Sequence, residues 1–224
     1  MITAGKLVKE ANIFILLLIA CPLQAQENVL ESSVRVNADT GASSGVIIAQ
    51  KPNGNNTTIL VLSTGHMMNR TNPQIEIFYL KGRKLEKPII INGNILLLIE
   101  NNFKKGTDFC IIRAEVESKG ISHTPLAPAG FSLKKGDKLL SVGCDLGEVP
   151  KCHDLTMTKY NEKRSDFDAD GWSKVGRSGG GVFTNDGKYV VGVCWGGYAD
   201  APKTMCTSHK IIVLLMEQCE INCD

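Results

Sequence analysis

Long apolar runs are almost absent from this chain: only Ile13 to Ala20 qualifies, and it is too short to span a bilayer. Excess charge is absent too, with 25 Lys and Arg against 23 Asp and Glu for a formal charge of +2. No stretch interleaves Lys and Arg with aromatics, so no nucleic-acid partner is expected. Lys104-Lys105 and Lys134-Lys135 read as solvated turn charges. Paired Cys-x-x-Cys spacing is missing, which leaves a zinc site of Cys144, Cys152 and His153 without sequence support. Helical periodicity is missing until the tail, which argues against βαβ units.

What the chain does have begins with a leader. Lys6 and Lys9 precede the short apolar run, and polar sequence follows it, the pattern of a signal peptide over residues 1–25. Cleavage after Ala25 would give a secreted or periplasmic protein spanning 26–224. Cleavage before Cys21, in the lipobox-like Leu18-Ile19-Ala20-Cys21, would give a lipid anchor, the one route to a membrane. Seven further cysteines fit an exported chain and leave at least one thiol unpaired. Cys144 with Cys152, and Cys194 with Cys206, bracket loops and are the preferred disulfides; Cys219 and Cys223 flank a small terminal loop. Cys110, inside an apolar run, reads as a buried thiol.

Between residues 29 and 195 the pattern is short β-like runs: 29–36, 44–49, 58–63, 74–80, 88–91, 95–99, 109–114, 138–143, 155–160 and 189–195. Turn signals separate them, including Asn92-Gly93, Lys105-Gly106 and Asp186-Gly187. The fold class is all-β, a barrel or sandwich closed by one C-terminal helix that Ser208 caps and that runs from about His209 to Gln218. Ile211, Leu214, Leu215 and Gln218 stand at helical spacing. Residues 118–133, with Pro125, Pro128 and Gly130, read as a connector between two halves.

Chemistry concentrates in three segments. Gly176-Arg177-Ser178-Gly179-Gly180-Gly181 crowds glycines around one serine and leaves its hydroxyl uncovered. A serine nucleophile needs a base. His66 supplies one at the end of the apolar run Leu60 to Ser63, where Thr64 and Gly65 let another chain approach the ring. The imidazole needs a carboxylate to fix its tautomer, and Asp108 heads the apolar strand Asp108-Phe109-Cys110-Ile111-Ile112. Asp137, Asp145, Asp154, Asp166, Asp168 and Asp170 also lie between His66 and Ser178, in polar or turn-rich contexts.

Together these segments resemble the trypsin-like, chymotrypsin-fold serine proteases, most closely the bacterial HtrA-like branch. Gly41-Ala42-Ser43-Ser44-Gly45 is similar to that family's first glycine-serine strand, and Ser63-Thr64-Gly65-His66 to its histidine segment. Thr107-Asp108-Phe109 resembles its aspartate strand, Gly176-Arg177-Ser178-Gly179-Gly180 its nucleophile turn, and Val193-Cys194-Trp195-Gly196-Gly197 the strand beside its substrate pocket. The order His, Asp, Ser is the family's order.

The resemblance implies two six-stranded antiparallel β-barrels with the active site between them, plus the C-terminal α-helix. It implies Ser178, His66 and Asp108 as a triad acting through an acyl-enzyme on a protein or peptide substrate, with no need of a metal or organic cofactor. The N–H groups of Gly176 and Ser178 would form an oxyanion hole, and Trp172, Val193, Cys194, Trp195 and Gly196 would line the substrate pocket. Arg177 departs from the family: digestive members carry an Asp there that pairs with a freed N-terminus, so activation of that kind is not expected. Trp172 near the pocket base gives no support to a basic specificity, and no PDZ-like domain is expected after Asp224. Two other readings stand beside this one. A catalytically inactive trypsin-fold module binding extracellular proteins has the same sequence pattern. Asp39-Thr40-Gly41 resembles half of an aspartic-protease site, but no second copy of it occurs.

Overall fold

The structure is a computed structural model that describes residues 25–222 apart from 39, 69–71, 82–83, 86, 103–105, 118–120, 172 and 199–200. Residues 1–24, which include Cys21 and nearly all of the expected signal peptide, lie outside the described residues, as do Asp39, Lys104, Lys105, Trp172 and Cys223.

Six strands close the first barrel in the order β1 (Ser33–Ala38), β2 (Gly41–Asn53), β3 (Asn56–Ser63), β8 (Thr107–Val116), β7 (Ile89–Asn102) and β4 (Gln74–Ile77). A small hairpin, β5 (Leu80–Lys81) and β6 (Lys84–Leu85), stands apart. The second barrel closes in the order β10 (Lys151–Asn161), β11 (Asp166–Asp170), β14 (Lys203–Ser208), β13 (Val190–Gly197), β12 (Gly181–Thr184) and β9 (Lys138–Gly143). Every pairing within the two barrels is antiparallel. The expected two-barrel, all-β fold is therefore present, and the link between the barrels runs from 117 to 137.

Alternation drives the closure. In β1 and β3 the buried side chains Val34, Val36, Ile59 and Val61 meet Ile75, Ile77 and Ile112 inside the first barrel. Phe167, Ala169, Leu155, Met157 and Val182 fill the second. A third cluster, with Val46, Leu62, Phe109, Leu140, Phe183 and Val193, packs between the barrels and under the C-terminal helix. Each such side chain contributes about 1.5–3 kcal/mol on burial, so the two barrels are held as one body by ordinary core packing.

Several local expectations are corrected. Residues 25–31 are helical (α1), not the start of a strand; the Ser33 hydroxyl donates to Val29 O at 2.7 Å and ends the helix before β1 begins. Asn92-Gly93 is no turn: the segments on either side form the single strand β7, and Gly93 pairs with Ala114. A side chain at Gly93 would meet Ile112 Cγ2 at 2.4 Å, so the glycine is there for a close inward approach. β11, Asp-Phe-Asp-Ala-Asp, is a strand that its acidic content concealed. The helix α2 (His209–Gln218) has the expected ends, and the Ser208 hydroxyl accepts from Lys210 N at 3.3 Å. Its buried face, however, is His209, Ile212 and Met216, one step round from the expected stripe, and Leu214 is exposed.

Among the described residues the expected Cys144–Cys152 and Cys194–Cys206 disulfides are not formed: all four cysteines are free, as is Cys110, while the expected partner of Cys219, Cys223, lies outside the described residues. The thiol of Cys144 lies 3.7 Å from Val34 O in the first barrel. That of Cys194 lies 3.4 Å from Ser173 Oγ. Cys110 is buried, as expected.

Candidate active site

The end of β3 carries the histidine and the start of β8 the aspartate, and these two strands are neighbours in register, Ser63 opposite Cys110. This places Asp108 beneath the Thr64-Gly65-His66 turn. Its carboxylate has no solvent exposure. A buried carboxylate is costly unless hydrogen-bonded, and here both oxygens are saturated. Oδ1 accepts from the main-chain N–H of Gly65 at 2.8 Å and of His66 at 2.9 Å. Oδ2 lies 2.5 Å from His66 Nδ1 and accepts from the Thr64 hydroxyl at 3.0 Å. Since a carboxylate only accepts, Nδ1 carries a proton, and in the neutral ring Nε2 is then the nitrogen with the lone pair.

Gly65 is required by proximity: a Cβ there would sit 2.1 Å from Ile99 O and 3.0 Å from Asp108 Oδ1. The second barrel reaches the same aspartate through Thr207 of β14, whose hydroxyl accepts from Asp108 N at 3.1 Å.

Ser178 stands on the turn between Gly176 and Gly181, half-buried. Its carbonyl accepts from Ser44 N at 2.8 Å, and Gly179 N donates to Cys194 O at 2.7 Å. Gly179 has φ +86°, and a side chain there would meet Ser44 O at 2.1 Å, Ser63 Oγ at 2.5 Å and Thr64 N at 2.9 Å. The Gly176-to-Gly181 turn is thus pressed against the strand end that leads to His66. Among the described residues Ser178 Oγ and His66 share no hydrogen bond, and neither Gly176 N–H nor Ser178 N–H has a partner.

The expected pocket residues divide. Val193 is wholly buried in the inter-barrel core with Phe183 and Leu140, so its side chain faces no cleft. Cys194 and Trp195 are also buried. The strand opens only at Gly196 and Gly197, where Gly197 and Ser173 stand so close that a Cβ on Gly197 would lie 2.9 Å from Ser173 Cβ. Among the described residues no three His, Cys, Asp or Glu side chains gather as a metal site. The His153 ring pairs with Asp145 at 3.1 Å and not with Cys144 or Cys152.

Arg177 is the feature whose surroundings the sequence did not disclose. Its side chain is 1% exposed. Nε donates to Asp145 Oδ1 at 2.8 Å, one terminal nitrogen to Ser141 O and Oγ at 3.1 Å, and the other to Lys151 O at 3.2 Å. Burial alone would raise the Asp145 pKa, but the Arg177 hydrogen bond and charge, with His153 beside them, hold it below the usual carboxylate value. Thr64, in the sequence only a small residue beside the histidine, likewise proves to be a donor to the Asp108 carboxylate. The sequence signal for it was a hydroxyl two residues before the histidine.

Residues 43–193, two thirds of the chain, match the trypsin-like peptidase domain family. The chain belongs to that family. Among solved structures, this trypsin-like domain is similar to the serine endoprotease from Yersinia pestis, with TM-score 0.66 and 14% identity over 88% of this chain and 66% of that one. It is also similar to Rv3671c from M. tuberculosis H37Rv, solved as an inactive serine-to-alanine mutant, with TM-score 0.61 and 14% identity over 89% of this chain and 90% of that one. A second inactive form of the Rv3671c protease gives TM-score 0.59 and 15% identity over 88% and 91%. The domain spans just under two thirds of the length of the Yersinia chain. At these identities the likeness is one of fold. No curated protein matches in sequence.

Proposed function

We propose that the trypsin-like domain is a serine endopeptidase acting on proteins or peptides through an acyl-enzyme. Ser178 Oγ attacks the scissile carbonyl while His66 Nε2 takes its proton. The C–N bond then breaks as His66 returns that proton to the leaving amine, and water, activated by the same Nε2, hydrolyses the ester. Asp108 holds the imidazole in the required tautomer and stabilises its charged form. The N–H groups of Gly176 and Ser178, which have no partner among the described residues, receive the oxyanion, a contribution of a few kcal/mol.

The observation that carries the reading is the buried Asp108 carboxylate with all four of its bonds spent on the Thr64-to-His66 turn. A carboxylate kept only for packing would not be desolvated beneath a histidine that is itself 29% exposed. The reading includes export by the leader, and N-terminal analysis of the mature protein separates cleavage after Ala25 from lipidation at Cys21.

The absence of a hydrogen bond between Ser178 Oγ and His66 among the described residues favours a second reading, an inactive binding module. Catalytic hydrogen bonds in unliganded sites are often loose, so this alone does not outweigh the carboxylate geometry. A fluorophosphonate probe decides between the two. Labelling of the wild type that disappears in Ser178→Ala and falls sharply in His66→Ala supports the endopeptidase. Equal labelling of wild type and Ser178→Ala rules it out.

A further inference from the structure

One peptide plane contains both the Val175 carbonyl and the Gly176 N–H. In a trans peptide these two groups point in opposite directions, so whatever holds the carbonyl aims the N–H. The Val175 carbonyl accepts from Leu146 N at 2.6 Å. Leu146 belongs to the short turn Asp145–Gly147, and its φ of +54° is unusual for a residue with a side chain. Such a backbone persists only where its surroundings hold it.

Three anchors hold this turn. Asp145 is bonded to the buried Arg177 guanidinium. Gly147 O accepts from Arg35 of the first barrel, which also pairs with Glu76. Cys144 N donates to Ser44 Oγ at 2.7 Å, and that hydroxyl donates to Gly176 O at 2.7 Å, clamping the following peptide. Arg177 is itself anchored on Ser141 of β9 and Lys151 of β10, so the pair hangs from the barrel wall and not from a mobile loop.

The geometry points to Arg177 and Asp145 as positioning residues: their buried pair fixes the Asp145–Gly147 turn, which holds the Val175 carbonyl and so turns the Gly176 N–H toward the place an oxyanion would occupy. Arg177, adjacent to the nucleophile, thereby supplies from within the chain a charge that organises the turn. This rests on the reading of Gly176 as an oxyanion donor. Neither residue touches substrate.

The two ideas fail differently under test. The Leu146 amide proton reports the Val175 bond directly, whether or not the protein cuts peptides. In Asp145→Ala its hydrogen exchange should accelerate at least about tenfold over wild type, while β-barrel amides keep their protection. In the same variant kcat on a peptide substrate should fall by about 10- to 100-fold with KM within about twofold, and affinity for a peptide aldehyde should fall in step with kcat/KM. Asp145→Asn, which keeps an acceptor for Arg177, should recover part of both losses; it also serves as the test variant if Asp145→Ala does not fold. Unchanged exchange at Leu146, or a folded variant with unaltered kcat and only a lower melting temperature, overturns the proposal. Failure of wild type to react with a fluorophosphonate would instead overturn the endopeptidase reading and leave the exchange result to decide the positioning role.

Discussion

Cys194 stands directly opposite Cys206 in the β13–β14 register, with both of its own peptide groups turned the other way: N–H to Gly180 O at 2.9 Å, C=O to Gly179 N at 2.7 Å. The two residues are therefore a non-hydrogen-bonded pair, the closer of the two antiparallel arrangements. Both side chains are fully buried, and burial raises both thiol pKa values. Cys144 and Cys152 are likewise pushed up by burial, to about 12 and about 11. Thiolate character and exposure govern reactivity. With Cys21 and Cys223 replaced by Ser, native alkylation should modify Cys219 alone, the exposed thiol. Mass spectrometry of the labelled chain checks this, and rapid native labelling at Cys194 or Cys206 would contradict it.

Thr64 gives the Asp108 carboxylate one of its four bonds. A hydrogen bond to a charged group is worth about 1.5–3 kcal/mol. Thr64→Val should therefore lower kcat about tenfold, while Asp108→Asn, which reverses the tautomer His66 needs, should lower it by about 10⁴. Steady-state kinetics on one peptide substrate compares the two; equal, small effects would mean that Asp108 does not orient the ring.

His209 is wholly buried, its Nδ1 donates to Val191 O at 3.1 Å, and Nε2 has no partner among the described residues. Burial lowers its pKa from 6.5. The unfolded chain then binds the proton first as pH falls. Stability should be level above pH 6.5 and decline as the pH drops from there toward the lowered folded value. Urea midpoints between pH 7.5 and about 5 test this, and His209→Gln should flatten that part of the profile.

Leu146 is 72% exposed, so its left-handed backbone is not compensated by burial. That conformation costs about 1–2 kcal/mol, and glycine gives back about 0.5–1 kcal/mol in chain entropy. Leu146→Gly should raise the melting temperature by about 2 °C while retaining the amide that holds Val175. A fall would show that the side chain has a contact worth more than the strain.

How much of this was legible in the chain depended on range. β9 has the bounds its apolar run predicts, and α2 starts at the residue Ser208 marks, because both signals are local. The His66–Asp108 contact followed from ordered motifs on two strands that proved to be neighbours. Phe167 and Ala169 alternate inward in β11, yet three acids in five residues outweighed that period in the sequence. Asp145 was one acid among several in polar turns. Only the fold brings it to Arg177, 32 residues away, and nothing in either segment alone announces the pair.

The bond from Ser44 N to Ser178 O and that from Asp108 N to Thr207 cross from one barrel to the other. A chain with only its first half folded holds His66 and Asp108 without Ser178. One with only its second half folded holds an inert hydroxyl. On the proposed endopeptidase reading, cutting power arises only when the halves dock, and a partly made or partly unfolded copy would be harmless to its neighbours.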